Sequence, residues 1–346
     1  MQKIAQDSVR VDFHTHFIPE HFPAMGEKYG GEGWPTLIHN GACQADIYNA
    51  GKHYRRIDER SWDPERRLKD MALKRVDVQV LSPIPVTFAY HFSAQAVLEL
   101  AQMQNEEIAK VVAVAPEHFI GLGTVPLQEP ALAATEVRRA VTHLGLAGVE
   151  IGTNVQGKNL DDPALEVFWQ ACEEVGAAVF IHPATVLAPE RTSNYRMVFS
   201  MGYTSETGIA AASLLMCGLL DHHPNLRLCL AHGGGTLPWL LPRLDQTWHA
   251  FNDVKVLTAK KPSETAKLLT YDTLVYDTLN LHILIARLGA DRLLMGTDYP
   301  FPLREEPPGA VIDTIENISV QQQTDMLGRN TLRFLQRDQL KRLEIP

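Results

Sequence analysis

The chain has 346 residues, 45 % hydrophobic and 21 % charged, an ordinary composition for a globular fold with a large core. Its formal charge is −9, from 32 Lys and Arg against 41 Asp and Glu, and no basic block follows a phosphate backbone, so neither nucleic acid nor a membrane surface is expected as a partner. The longest apolar stretch, Ile209 to Leu220, is too short to span a bilayer, the N-terminus MQKIAQDSVR has no apolar leader segment, and Cys43, Cys172, Cys217 and Cys229 form no CxxC, which reads as a cytoplasmic protein with reduced thiols.

Short apolar, β-branched runs alternate with helix-length segments. Strands are expected at Val9–Phe13 (VRVDF), Val76–Ser82 (VDVQVLS), Ile120–Val125 (IGLGTV) and Ala147–Ile151 (AGVEI). Four more are expected at Ala177–Ile181 (AAVFI), Leu226–Ala231 (LRLCLA), Thr273–Asp277 (TLVYD) and Arg292–Gly296 (RLLMG). Several are continuously apolar, the pattern of parallel strands buried on both faces. Between them, DDPALEVFWQACEEVG carries an Asp cap, a first-turn Pro and a terminating Gly176. SETGIAAASLLMCGLL is apolar nearly all round and reads as a helix packed between the barrel and a further surface, such as a subunit partner. Asn280 is expected to cap LHILIARLG, which stops at Gly289. The fold class is therefore α/β, a (β/α)₈ TIM barrel forming one domain over residues 1–346. Residues 20–63, rich in glycine and aromatics, depart from the repeat and read as a small insertion at the barrel mouth.

In such a barrel the chemistry sits at the C-terminal ends of the strands. The first strand ends in His14-Thr15-His16, the fifth in His182, the sixth in His232 followed by three glycines, and the eighth in Asp298. Period-two alternation turns His14 and His16 to one face, from which both imidazoles can reach one ion. His182 and Asp298 complete an N₃O set that leaves a position for water or substrate. Singly each has a plainer reading: a solvated strand edge for the HxH pair, a rim histidine, a helix cap. Zinc fits the imidazole-rich set best, with manganese or another first-row ion open. His232 serves as general acid/base, the alternative being a fifth ligand. Glu150, not a lysine, stands at the end of the fourth strand, which favours one metal over a carbamate-bridged pair.

The stretches VDFHTHF, FIHP, LAHGGG and MGTDYPFP together resemble the metal-dependent amidohydrolase superfamily. With GKHYRRIDERSWDPERRLKDM, VDVQVLSPIPVTFAY, LGTVPLQEPALA and LPWLLPRLDQTWHAF, the likeness narrows to its 2-amino-3-carboxymuconate-6-semialdehyde decarboxylase-like subfamily and covers nearly the whole chain. The resemblance implies one zinc on His14, His16, His182 and Asp298, no redox cofactor, and His232 as the proton-moving residue. It implies Arg55 and Arg243 as clamps on the carboxylates of a small-molecule substrate, Arg243 reaching across the interface of a homodimer; bidentate guanidinium pairing suits that role. Residues 183–205 depart from the subfamily by lacking tryptophan, and Tyr195 is the substrate-contacting candidate there. The implied function is zinc-dependent, nonoxidative decarboxylation of 2-amino-3-carboxymuconate-6-semialdehyde or a related catabolic intermediate. Alternatives are a phenolic-acid (hydroxybenzoate-type) decarboxylase, a metal-dependent hydrolase or hydratase of an unsaturated diacid or lactone, and a non-catalytic binding protein. Release of CO₂ separates decarboxylation from hydrolysis.

Overall fold

Eight parallel strands form the centre of the computed structural model, which describes residues 8–337. Residues 1–7, most of the stretch read above for a leader, and residues 338–346, the end of the expected domain, lie outside the described residues. The barrel strands, in spatial and sequence order, are β1 (Val11–Phe17), β5 (Val78–Pro83), β6 (Phe119–Gly123), β7 (Gly148–Gly152), β10 (Ala178–His182), β11 (Arg227–Leu230), β12 (Thr270–Asp272) and β13 (Leu293–Leu294). Past β13 the chain returns to β1 through Phe13 N–H to Met295 O, Asp298 N–H to His14 O and His16 N–H to Tyr299 O, each 2.8 Å, which closes the ring. Every residue of β1, β5, β6, β7 and β10 is buried, as the continuously apolar runs required. Inside the barrel Phe13 meets Phe180 edge to face with centroids 4.9 Å apart, sealing the floor beneath the strand ends.

Several expectations are corrected. The first strand does not stop at Phe13 but carries both histidines within β1, which fixes them to the barrel wall. The seventh strand is not Thr273–Asp277 but β12, three residues earlier. After β12 the backbone turns, with Leu274 N–H on the Asp272 carboxylate at 3.1 Å and Val275 N–H on Thr273 O at 2.8 Å. The apolar run read as a strand is therefore a loop. Asp277, placed in that strand, accepts from Leu279 N and Asn280 N and caps the helix Thr278–Leu288; Asn280 lies in its first turn and is not the cap. Elsewhere local signals hold: Asp162 accepts from Ala164 N at 3.0 Å, and Gly176 ends the helix Glu166–Val175 in the left-handed region. The long apolar segment forms two helices, Tyr203–Met216 and Leu219–His222, separated at Gly218. There φ is +80° and a side chain would meet Leu257 O at 2.4 Å, so only glycine fits. Among the described residues no helix is long and apolar enough to cross a membrane.

The insertion after β1 is an antiparallel sheet of β2 (Thr36–His39), β3 (Gln44–Asn49) and β4 (Lys52–Asp58), and a short hairpin of β8 (Asn154–Val155) and β9 (Lys158–Asn159) follows β7. Ala45, Ile47 and Ile57 bury against Phe17, Ile18 and Trp62, which pins the sheet to the end of β1. At roughly 1.5–3 kcal/mol for each large apolar side chain removed from water, this contact is ample to hold it in place.

Candidate metal centre and substrate cavity

Three histidines converge at the C-terminal rim, each oriented by its Nδ1. His14 Nδ1 pairs with Asp272 Oδ2 at 2.7 Å, His16 Nδ1 with Pro83 O at 3.2 Å, and His182 Nδ1 with Pro183 O at 2.9 Å. A carbonyl or carboxylate can only accept, so Nδ1 carries the proton and Nε2 keeps its lone pair. Ligand atoms of His14, His16 and Asp298 lie within 4.8 Å of one another, and His182 joins His14 and His16 in overlapping groups; the free ring nitrogens are the Nε2 atoms. Those of His14 and His16 lie 3.1 Å apart, Asp298 Oδ1 is 3.7 Å and 3.1 Å from them, and the His182 Nε2 is buried with no partner. Lone pairs at 3.1 Å repel unless a cation lies between them. A first-row ion about 2.1 Å from each nitrogen makes that spacing ordinary, so the residues present fit a divalent metal.

The electrostatics agree with that fit. Burial holds the His16 and His182 imidazoles below their ordinary range, so both are neutral donors. Burial also acts to lower His14, but the hydrogen bond and charge of Asp272 outweigh it and make this ring the most basic of the three. Asp298 and Asp272 remain carboxylates: burial opposes their ionisation, while the facing His16 ring and the hydrogen bond from His14 respectively overcome it. Asp298 sits at φ +69° and His232 at φ +57°, left-handed conformations of the kind stored at functional sites.

Asp272 was not singled out in the sequence. It is fully buried and accepts from His14 Nδ1, His232 N, Gly233 N and Leu274 N, so one carboxylate fixes a metal-facing ring and the turn that carries His232. The motif YDT occurs twice, at 271–273 and 276–278, and the apolar LV between them drew the strand to the wrong copy. His232 lies beside the cluster, its ring centroid 5.0 Å from that of His182 and 5.4 Å from that of His14. Its Nδ1 is buried without a partner, and burial together with the neighbouring His14 pushes its pKa down to about 4.

Above the cluster opens a cavity of about 1080 Å³ whose lining includes His16, His182, His232, Asp298, Arg55 and Phe301. Arg55 and Arg56 are separated by strand alternation. Arg56 is exposed and forks onto Asp46, its cross-strand partner, with two 2.9 Å bonds. Arg55 shares the inward face with buried Ile57, stacks 3.8 Å from the Phe301 ring centroid, and has a buried Nη1 with no acceptor. Tyr195 lines the mouth but is 91 % exposed. Arg243 is not brought to the cavity of its own chain. It is exposed on the helix Leu237–Ala250 and makes no ion pair among the described residues. The sequence reading also passed over Tyr203, whose hydroxyl is 3.4 Å from that of Tyr54 on the cavity wall, and Arg196 at its mouth. Glu150 is fully buried in the middle of β7, near His16 and His182, and burial raises its carboxyl well above the ordinary range.

Comparison with known proteins places the chain. Residues 11–337 match the family model described as Amidohydrolase, and the chain belongs to that family. It is 41 % identical over 337 residues to 2-amino-3-carboxymuconate-6-semialdehyde decarboxylase of Dictyostelium discoideum, covering 97 % of this chain and 94 % of that protein. The solved 5-carboxyvanillate decarboxylase LigW of Sphingomonas paucimobilis is 30 % identical with a TM-score of 0.73, covering 80 % of this chain and 84 % of that one. The family thus includes characterised decarboxylases. A 5-carboxyvanillate decarboxylase of Novosphingobium aromaticivorans shares the fold at 20 % identity, with a TM-score of 0.78 over 96 % of this chain and 97 % of that one, and is complexed with manganese. That finding corrects the expectation of zinc. Counting imidazoles does not choose among first-row ions, because carboxylate donors and coordination number weigh as much.

Proposed function

We propose that this member of the amidohydrolase family is a nonoxidative decarboxylase of a planar phenolic carboxylic acid, working with one divalent ion on His14, His16, His182 and Asp298. The observation that carries this reading is Arg55: a guanidinium without an acceptor, stacked on Phe301, in the cavity that opens onto the histidine cluster. Such a group suits a flat anion, pairing with its oxygens while the aromatic wall covers its face. When bound, the ion, for which manganese is the first choice, supplies Lewis acidity to the substrate oxygens. Arg55 orients the acid. His232, neutral at pH 7, takes a proton and delivers it to the ring carbon bearing the carboxylate. The C–C bond then breaks, its electron pair restores the ring, and CO₂ leaves without an oxidant.

A second reading, the acyclic 2-amino-3-carboxymuconate-6-semialdehyde as substrate, is favoured by the 41 % identical relative. Assay of the manganese-loaded protein against hydroxybenzoates, 5-carboxyvanillate and that semialdehyde decides between them. Turnover of the phenolic acids at higher kcat/KM supports the first reading, and turnover of the semialdehyde alone overturns it. We further propose a homodimer that supplies Arg243 to the neighbouring site. Support comes from the exposure of Arg243 on a helix that also exposes Trp239 (75 %), one turn earlier on the same face. Mixed dimers of Arg243→Ala with His14→Ala should regain activity; no regain in verified mixed dimers contradicts the shared site.

A further inference from the structure

The cavity wall holds a pair of phenols to which the proposed mechanism gives no task. Tyr54 lies on β4 and Tyr203 opens the helix Tyr203–Met216; their hydroxyl oxygens are 3.4 Å apart and both residues line the cavity. Each reaches that wall through a backbone irregularity. Across the insertion sheet Ile47 pairs with Arg55 and Tyr48 with His53, which leaves Tyr54 as the extra residue of a β-bulge. Strict alternation would set Tyr54 on the outer face with Arg56; the bulge breaks it, so that Tyr54 and Arg55 both border the cavity. Tyr203 follows directly on the wide π turn Val198–Gly202, a second device of the kind found at functional sites.

The pair links two parts of the site. The Arg55 guanidinium lies 5.6 Å from the Tyr54 ring centroid, and the Tyr203 ring stands edge-on to that of His182 with centroids 6.4 Å apart. Two hydroxyls carry two protons. One makes the mutual hydrogen bond, and the other has no acceptor among the described residues, whichever oxygen carries it. Other hydroxyls of the lining are taken up internally: Tyr276 donates to Leu303 O at 2.8 Å and Thr204 to Ser200 O at 3.0 Å. Burial, with the neighbouring Tyr54, raises the Tyr203 phenol well above its ordinary range, so it stays a neutral donor. Arg55 supplies the charge that holds a carboxylate; a neutral phenol suits an uncharged acceptor oxygen instead, and a site built to pair with one disfavours a ligand that lacks it. We propose that the Tyr54–Tyr203 pair is a specificity subsite that reads an uncharged oxygen substituent, an alkoxy or further hydroxyl group, on the ring of the phenolic acid. This rests on the phenolic-acid reading above and deepens it, since the substrate is then a ring-substituted rather than a bare hydroxybenzoate.

Manganese-loaded wild type is titrated calorimetrically with 2-nitrophenols, which cannot lose CO₂, carrying a methoxy or an ethyl group at the same ring position. The two groups are alike in shape and unlike in hydrogen bonding. At one ring position methoxy should bind about fivefold tighter than ethyl or better, the worth of one hydrogen bond. Joint replacement by Tyr54→Phe and Tyr203→Phe should bring that ratio to within about twofold of one. No methoxy preference at any position, or a preference that survives the double replacement, overturns the proposal. A merely structural role would weaken both ligands equally and leave the ratio as it was, which also overturns it. If thermal unfolding shows that the double variant does not fold, Tyr203→Phe is read instead and must at least halve the ratio. The two levels separate: equal binding of the methoxy and ethyl members refutes the subsite alone, whereas no binding of any member refutes the phenolic-acid reading and the subsite with it.

Discussion

Replacing Arg55 with methionine should move activity and stability in different directions. In the free protein the guanidinium has a buried Nη1 without an acceptor and stacks on Phe301. Removing an orphan donor relieves about 1–3 kcal/mol, while losing the stacking costs roughly 0.5–2 kcal/mol. The two nearly cancel, so Tm of the substrate-free protein should stay within about 2 °C of wild type or rise. In the complex, the same change removes a charge-assisted fork onto a carboxylate. Two such bonds at a partly exposed site contribute about 2–4 kcal/mol, and at 1.4 kcal/mol per factor of ten kcat/KM should fall roughly 30- to 700-fold. The assay pairs initial-rate kinetics with differential scanning calorimetry of the apo and substrate-bound protein. Arg55→Lys should recover only part of the loss, because an ammonium cannot form the fork. An unchanged kcat/KM, or a large fall in stability with proportional loss of activity, refutes the assignment of Arg55 as substrate anchor.

Three further outcomes follow from the same geometry. His232→Ala should lower kcat by about 10²- to 10⁴-fold with metal content unchanged; loss of metal would instead make His232 a ligand. Asp272→Asn disturbs the acceptor that orients His14 and should weaken metal binding about 10- to 100-fold in equilibrium dialysis; wild-type affinity would leave Asp272 with the backbone turn alone. Burial lifts the Glu305 carboxyl from 4.5 to about 7, despite hydrogen bonds from Val311 N and Gly309 N. The folded state therefore holds a proton that the unfolded state releases between those values, so unfolding free energy falls as pH rises through that window and levels off above it. Relative to Glu305→Gln, wild type should lose up to about 3 kcal/mol between pH 4 and pH 8 in urea denaturation, and parallel profiles would contradict the burial argument.

The order of the barrel strands was legible because buried parallel strands leave dense apolar runs, and because Asp162 and Gly176 punctuate a helix in their usual ways. The four rim positions followed from the rule that strand ends carry the chemistry, which needs only approximate boundaries. Asp272 escaped because that rule was applied to a strand drawn three residues late: Leu274 and Val275 look like a strand, but Leu274 N–H turns onto the Asp272 carboxylate and Val275 N–H onto Thr273 O. The choice between Arg55 and Arg56 was open in the sequence. Pairing register separates their surroundings: Arg56 stands opposite Asp46 and is bonded to it, while Arg55 has no acceptor. Glu150 was visible only as the residue that is not a lysine, since the full burial of a carboxyl on the barrel wall is a three-dimensional fact.

The central claim, decarboxylation on the His14–His16–His182–Asp298 centre, is tested most directly by following the carboxyl carbon. The manganese-loaded protein is incubated in D₂O with a hydroxybenzoate carrying ¹³C in its carboxyl group. The account predicts one labelled CO₂ per turnover, no oxidant consumed, one deuterium on the ring carbon that lost the carboxylate, and no turnover by His16→Ala. A product that retains the labelled carbon, with water added across a bond, would contradict it.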